Sequence, residues 1–440
     1  MKSIFLSAPG LICCAGRNRD ELYESCLRGS RSGMVLRELP ETAAAAGGIA
    51  SAGGIAPAGG IASSGGIASS GGGGKFPTGQ IPWEHLAAIS TALPAEISVD
   101  LPVKDTRIIR IINAALEQIR GDVERAIAAY GQKKIGVCLG SCDNGSEAST
   151  TAHKAFFATG AFPEDYRLGF QSASYPAEFI ARKFGLKGPV FTVATACASG
   201  ASAIITGAEL IRAGLCDAVI AGGADIVSET TLMGFHALEA LSDSPTNPFS
   251  KNRKGINLGE GAAFFLLHSA SLGTPGIELL GAGESSDAFH ITAPGPDGAG
   301  PVKAMKAALL DAGLGPEQIG YVNLHGTGTG LNDRAEALAM KAVFGANPPP
   351  ASSTKPVMGH TLGAAGALEA AVCWMVLTAK KGLPVHCWDG EGDGEMPFLP
   401  VIPDRASPLN PVRAELPACM SNNFAFGGCN VSLIFGSRQS

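Results

Sequence analysis

GPVFTVATACASGASAIITGAELIRAGLCDAVIAGG, residues 188–223, is the stretch on which the fold turns. Val190, Phe191 and Val193 form a short β-branched and aromatic run that predicts a strand. Small residues from Ala194 to Ala196 predict a turn ending on Cys197. The segment after it opens a helix with Ile204, Ile205, Ala208 and Ile211 on one side. A stop near Gly214 and the apolar run from Ala218 to Ala221 complete a β-turn-α-β unit. A thiol at a helix N-terminus faces unpaired N–H groups and the positive end of the dipole. That setting predicts a lowered pKa and the thiolate that acyl transfer uses. The same local sequence also fits a buried, inert cysteine.

Composition bounds the alternatives. With 440 residues, 45% hydrophobic and 16% charged, the chain can bury a large core and build more than one domain or two fused halves. A balance of 33 basic against 39 acidic residues gives −6 and no global argument for nucleic acid or an anionic membrane. The 11 cysteines are scattered without a CxxC pair, as expected of a reducing cytoplasm. Residues 2–15 read as a first strand and turn, because Ser7, Pro9 and Gly10 interrupt what would otherwise resemble a signal peptide. Residues 361–379 are long and apolar, but Glu369 in their middle predicts a buried core helix and no membrane span.

Outward from residues 188–223, strands are expected at 3–7, 134–139, 276–281, 321–324 and 431–435. Helices are expected at 20–27, 106–130, 146–158, 174–184, 302–312, 333–344 and 361–380. This alternation predicts a largely parallel, helix-covered sheet in two similar halves, an α/β protein. Residues 43–74 differ, with GGIASA, GGIAPA and two GGIASS units repeating every six residues. So little side-chain surface cannot offset backbone entropy, and a flexible insertion is expected there.

Three further stretches carry chemistry. YVNLHGTGTG, residues 321–330, sets His325 just past a strand, with Thr327 and Thr329 offering hydroxyls among glycines; a structural histidine fits equally. KPVMGHTLGAAG, residues 355–366, runs into a helix with His360 at its mouth, where the dipole favours the neutral imidazole. Such an imidazole donates one hydrogen bond to a developing oxyanion, and Lys355 either orients a histidine or lies at the surface. SNNFAFGGCN, residues 421–430, reads as a small-residue loop able to supply backbone N–H donors.

One cysteine, two histidines and a lysine in this order resemble the elongating β-ketoacyl-acyl carrier protein synthases of the thiolase-like superfamily. The resemblance runs over nearly the whole chain outside the insertion, through TACASG at 195–200, PFSKNRKGINLGEGAA at 248–263, SSDAFHITAP at 285–294, HGTGTGLND at 325–333, KPVMGHTLGAAGALE at 355–369 and NNFAFGGCN at 422–430. LSAPGLICCAG, GLCDAVIAGG and HCWDG also resemble the ketosynthases of bacterial aryl polyene pigment clusters. Departures from the family pattern are Ala425 for a glycine between the two phenylalanines, Gly328 and Gly330 for Ser and Pro, Ser250 for Asp and Cys429 for Thr. None removes a catalytic group.

The resemblance implies a thiolase-like α-β-α-β-α core, with residues 1–272 as the cysteine-bearing half and 273–440 as the histidine-bearing half. It also implies a decarboxylative Claisen condensation. Cys197 takes the acyl group, the N–H groups of Cys197 and Phe426 form the oxyanion hole, and His325 and His360 stabilise the malonyl-derived enolate. Lys355 orients the histidines, Glu260 belongs to the nearby polar network, and Thr327 and Thr329 contact the phosphopantetheine arm. Phe426 gates the pocket and Phe424 lines the substrate. No metal or nucleotide is implied; the substrates ride on the phosphopantetheine of an acyl carrier protein. A homodimer is implied, with a heterodimer left open. A thiolase is disfavoured by the paired histidines and a starter-type synthase by His360, while a non-catalytic chain-length partner would lack Cys197.

Overall fold

The computed structural model describes residues 2–38, 75–87, 89, 104–143, 145–269, 277–404, 406–407 and 417–437. The expected insertion at 43–74 lies outside the described residues. In chain order the strands are β1 (Phe5–Leu6), β2 (Gly10–Cys13), β3 (Val35–Glu38), β4 (Lys75–Thr78), β5 (Ile135–Gly140), β6 (Val190–Val193), β7 (Ala218–Asp225), β8 (Gly261–His268), β9 (Ile277–Ser286), β10 (Ile319–Asn323), β11 (Ala351–Ser352), β12 (Ala418–Phe424) and β13 (Cys429–Gly436). Strands β3 and β4 pair with each other. The rest join in the order β11-β10-β12-β13-β9-β1-β8-β7-β5-β6, with β2 also on β8.

The sheet is mixed, which corrects the expectation of largely parallel pairing. β6-β5 and β5-β7 are parallel, and β7-β8 and β8-β1 antiparallel. The other end repeats this, since β11-β10 and β10-β12 are parallel, and β12-β13 and β13-β9 antiparallel. Two copies of one strand order thus meet at β1, which pairs with both β8 and β9. Helix-strand alternation alone does not reveal that the last strands of each half turn back.

Alternating strand faces sort the side chains into layers. In β7, Ala218 and Ile220 face a core shared with the helices Arg107–Tyr130 and Tyr175–Phe184, while Val219 and Ala221 face one shared with the helices Ser199–Arg212 and Ala365–Ala379. In β12, Cys419 faces that same central pair and Met420 faces the helices Ala299–Ala312 and Gly330–Phe344. Helices, sheet, central helices, sheet and helices therefore stack as five layers, the thiolase-like α-β-α-β-α arrangement. The apolar stretch Leu362–Ala379, long enough to cross a membrane, is mostly buried in this central layer.

The central helices approach closely at glycines. A Cβ on Gly200 would come within 2.9 Å of the Ala367 nitrogen, and one on Gly366 within 2.6 Å of the Ala201 nitrogen. Each helix follows a three-residue 3-10 turn, Ala196–Ala198 or Leu362–Ala364. Each turn opens on a non-glycine residue in the left-handed region, Ala196 at φ 49° and Leu362 at φ 52°. Such backbone costs on the order of 1–3 kcal/mol and persists only where its surroundings enforce it.

Candidate active site

Cys197 is the middle residue of the first turn and is buried. The elbow is fastened by Ser199, whose Oγ donates to the Ala196 carbonyl (2.6 Å) and accepts the Thr195 N–H (2.9 Å). His360, just before the second turn, brings Nε2 to 3.0 Å from Cys197 Sγ. The Leu362 N–H donates to His360 Nδ1 at 3.3 Å, which assigns the ring proton to Nε2.

His325 follows β10 and meets His360 edge to face, with ring centroids 5.5 Å apart. Its Nδ1 lies 3.3 Å from the Lys355 ammonium, which can only donate, so its proton also sits on Nε2. The cysteine sulfur and a ring nitrogen from each histidine lie within 4.8 Å of one another. Burial and the Lys355 charge hold both imidazoles well below their usual pKa, so both are neutral donors at physiological pH. The same ammonium makes the cluster a better host for a developing anion than for a cation.

The sulfur corrects an expectation. Burial pushes the Cys197 thiol up to about 11, against the opposing pull of Lys355 and of the Phe426 N–H that bonds to the sulfur. A helix dipole is worth about 0.3–1 kcal/mol, less than one pKa unit, and burial outweighs it. The resting group is a thiol.

Lys355 heads the short helix Lys355–Met358 and is fully buried. Its ammonium pairs with Glu369 Oε1 at 2.5 Å, and Glu369 Oε2 accepts from Asn423 Nδ2 at 3.1 Å. The loop after His325 is held by two carboxylates one turn apart on the helix Gly330–Phe344. Glu336 accepts the N–H groups of His325 (2.8 Å) and Gly326 (2.7 Å). Asp333 accepts those of Thr327 (3.1 Å), Gly328 (3.2 Å) and Phe249 (2.8 Å). Thr327 and Thr329 stand with their hydroxyls 3.0 Å apart.

The stretch 421–430 is only partly a loop, because Ser421 to Phe424 complete β12. Phe424 packs its ring against His325, with centroids 6.1 Å apart. Phe426 stacks on Phe235 of the helix Glu229–Ala237 at 5.8 Å. Ala425 is extended, at φ −102° and ψ 157°, a conformation alanine adopts without strain. Glu260 does not join this cluster. Its buried carboxylate pairs with Arg107 and accepts the Ile81 N–H at 2.7 Å, so the polar network expected around the histidines is built by Glu369, Asn423, Glu336 and Asp333 instead. The sequence signals for these were a lone charge inside an apolar helix and a D-x-x-E step after a glycine-rich run.

The chain matches the β-ketoacyl synthase N-terminal domain over residues 109–272 and the β-ketoacyl synthase C-terminal domain over residues 277–386. It is 37% identical to the 3-oxoacyl-[acyl-carrier-protein] synthase 2 of Vibrio cholerae over 321 residues, covering 69% of this chain and 75% of that protein. It is also 37% identical to Nodulation protein E of Rhizobium meliloti over 310 residues, covering 68% and 74%. Among solved structures, the ketosynthase ApeO in complex with its chain length factor ApeC from Xenorhabdus doucetiae matches with a TM-score of 0.79 and 36% identity, covering 99% of this chain and 98% of that one. Both domain models fall in order on the elements that carry Cys197, His325 and His360, and the chain belongs to the β-ketoacyl synthase family of acyltransferases.

Proposed function

We propose that Cys197 is the acyl-carrying nucleophile and that His325 and His360 are the donors for decarboxylation. Acyl-carrier protein transfers its acyl group to Cys197 Sγ, and the thiol proton ends on the departing phosphopantetheine sulfur. The backbone N–H groups of Cys197 and Phe426 receive the oxyanion of that step. Malonyl-carrier protein then loses CO2, and the two Nε2–H groups bond to the enolate oxygen. The enolate carbon attacks the acyl-cysteine, a carbon–carbon bond forms as the C–S bond breaks, and a β-ketoacyl chain two carbons longer leaves. The observation that carries this reading is the gathering of one buried sulfur and a ring nitrogen of each histidine within 4.8 Å, with His360 Nε2 3.0 Å from the sulfur.

Lys355 holds the His325 tautomer, Thr327 and Thr329 take the phosphopantetheine arm, Phe424 lines the substrate and Phe426 gates it. Glu260 is given no substrate contact, since its carboxylate is engaged by Arg107. The two repeated strand orders support a division into halves at 1–272 and 273–440. The working assembly is a dimer that receives acyl carrier protein. The likeness to ApeO with its chain length factor favours a second, non-identical ketosynthase-fold subunit and an aryl polyene-type unsaturated chain over a homodimer in fatty acid synthesis. Eleven free thiols suit the cytoplasm.

The test is mass spectrometry of the products made from malonyl-carrier protein and a panel of saturated and polyunsaturated acyl-carrier proteins. Products two carbons longer than polyunsaturated primers support the reading. Elongation of saturated primers alone removes the polyene assignment, and no elongation of any primer removes the condensation.

A further inference from the structure

Asp225 ends β7, is 1% exposed and accepts hydrogen bonds from three backbone N–H groups. Its Oδ2 accepts the Cys142 N–H at 2.9 Å and the Gly363 N–H at 2.8 Å, and its Oδ1 accepts the Ile226 N–H at 3.2 Å. Cys142 follows β5, in the half that carries Cys197. Gly363 is the middle residue of the second elbow, the place that Cys197 takes in the first. A single oxygen therefore bridges the two halves beside the reacting groups.

What that bridge holds is the geometry of His360. The Leu362 N–H donates to His360 Nδ1 across the turn at Thr361, and Leu362 itself sits at φ 52°. The next residue is Gly363, whose N–H is fixed by Asp225. A side chain there has no room, since a Cβ would lie 2.7 Å from the Cys142 nitrogen and 2.8 Å from Asp225 Oδ2. With the turn held, Nδ1 is occupied as an acceptor and the ring proton stays on Nε2, 3.0 Å from Cys197 Sγ.

We propose that Asp225 is a positioning residue for the decarboxylation step, holding the 360–363 turn in the strained shape that presents the Nε2–H of His360 to the enolate. This rests on the role of His360 proposed above. The groups that face Asp225 electrostatically are the Asp143 carboxylate and the thiols of Cys142 and Cys197. Burial first, and Asp143 second, push its carboxyl up to about 7. The ionised form accepts all three N–H groups best, so the clamp is complete above that pH and weakens as pH falls through it.

The experiment compares the wild type with Asp225→Asn, Asp225→Glu and His360→Ala in two assays. One follows acylation of Cys197 by acyl-carrier protein, read by intact mass; the other follows CO2 release from malonyl-carrier protein between about pH 5.5 and 9. Asp225→Asn is expected to slow CO2 release about tenfold or more, to leave acylation within about twofold, and to flatten the acid limb of the pH profile. Asp225→Glu is expected to restore part of the CO2 release. Wild-type CO2 release with an unchanged profile in Asp225→Asn would overturn the proposal, and so would equal losses in both assays. Full CO2 release in His360→Ala would instead remove the reading of His360 on which the proposal stands.

Discussion

Cys197, the proposed nucleophile, rests as a buried thiol. Burial keeps its proton on, with a pKa of about 11, while the Phe426 N–H and the Lys355 charge wait for the anion. The sign of the pH effect follows, because the reactive thiolate grows about tenfold per pH unit below that value. Iodoacetamide should therefore label Cys197 about tenfold faster for each unit between pH 7 and pH 9, read by mass spectrometry of its peptide. A rate already level below pH 8 would mean that the sulfur is ionised in the free enzyme. At this scale the groups singled out in the sequence, Cys197, His325, His360 and Lys355, lie together in the structure. The neutral state expected of His360 agrees with its lowered pKa, while the thiolate expected at Cys197 does not, because burial outweighs the dipole there; and the resemblance set Glu260 in a network near the site, whereas its carboxylate turns to Arg107.

Elements set the precision of the site. The two elbows, the left-handed residues that open them and the glycines that follow form one device used twice, once to raise a sulfur and once to seat an imidazole. Gly366→Ala should break that device, because the new methyl runs into Asn423 Oδ1 and meets the Ala201 backbone nitrogen at 2.6 Å. Overpacking of this kind costs about 1–3 kcal/mol, and here it pushes apart the helices that begin at Cys197 and after His360. The expected outcome is a melting midpoint lowered by several degrees together with slowed condensation; an unchanged midpoint and rate would show that the helices have slack. Helices with strong 3.6-residue patterns, such as Arg107–Tyr130, were legible within a residue or two. The strands β8 and β12 are not legible in the sequence. Both are buried on both faces, so they lack the alternation that betrays a half-exposed strand, and the second ends in the small-residue stretch read as a loop.

The whole molecule explains why a sulfur and an imidazole 163 residues apart meet at 3.0 Å. Each half supplies one end of the continuous sheet with the same strand order, and the central helices from both halves lie between the two ends. The alternation of strands and helices let two similar halves be expected from sequence. The antiparallel return of β8, β9 and β13 did not follow from it, because long connections can close a pair in either direction. The proposed function divides between them, with the acyl group assigned to the cysteine half and the enolate to the histidine half.

The measurement that tests this division most directly is CO2 release from malonyl-carrier protein by Cys197→Gln, with condensation followed in the same reaction. Cys197→Gln is expected to make no elongated product yet to release CO2 at least as fast as the wild type, because the proposed histidine donors are intact. Elongated product from Cys197→Gln would contradict it.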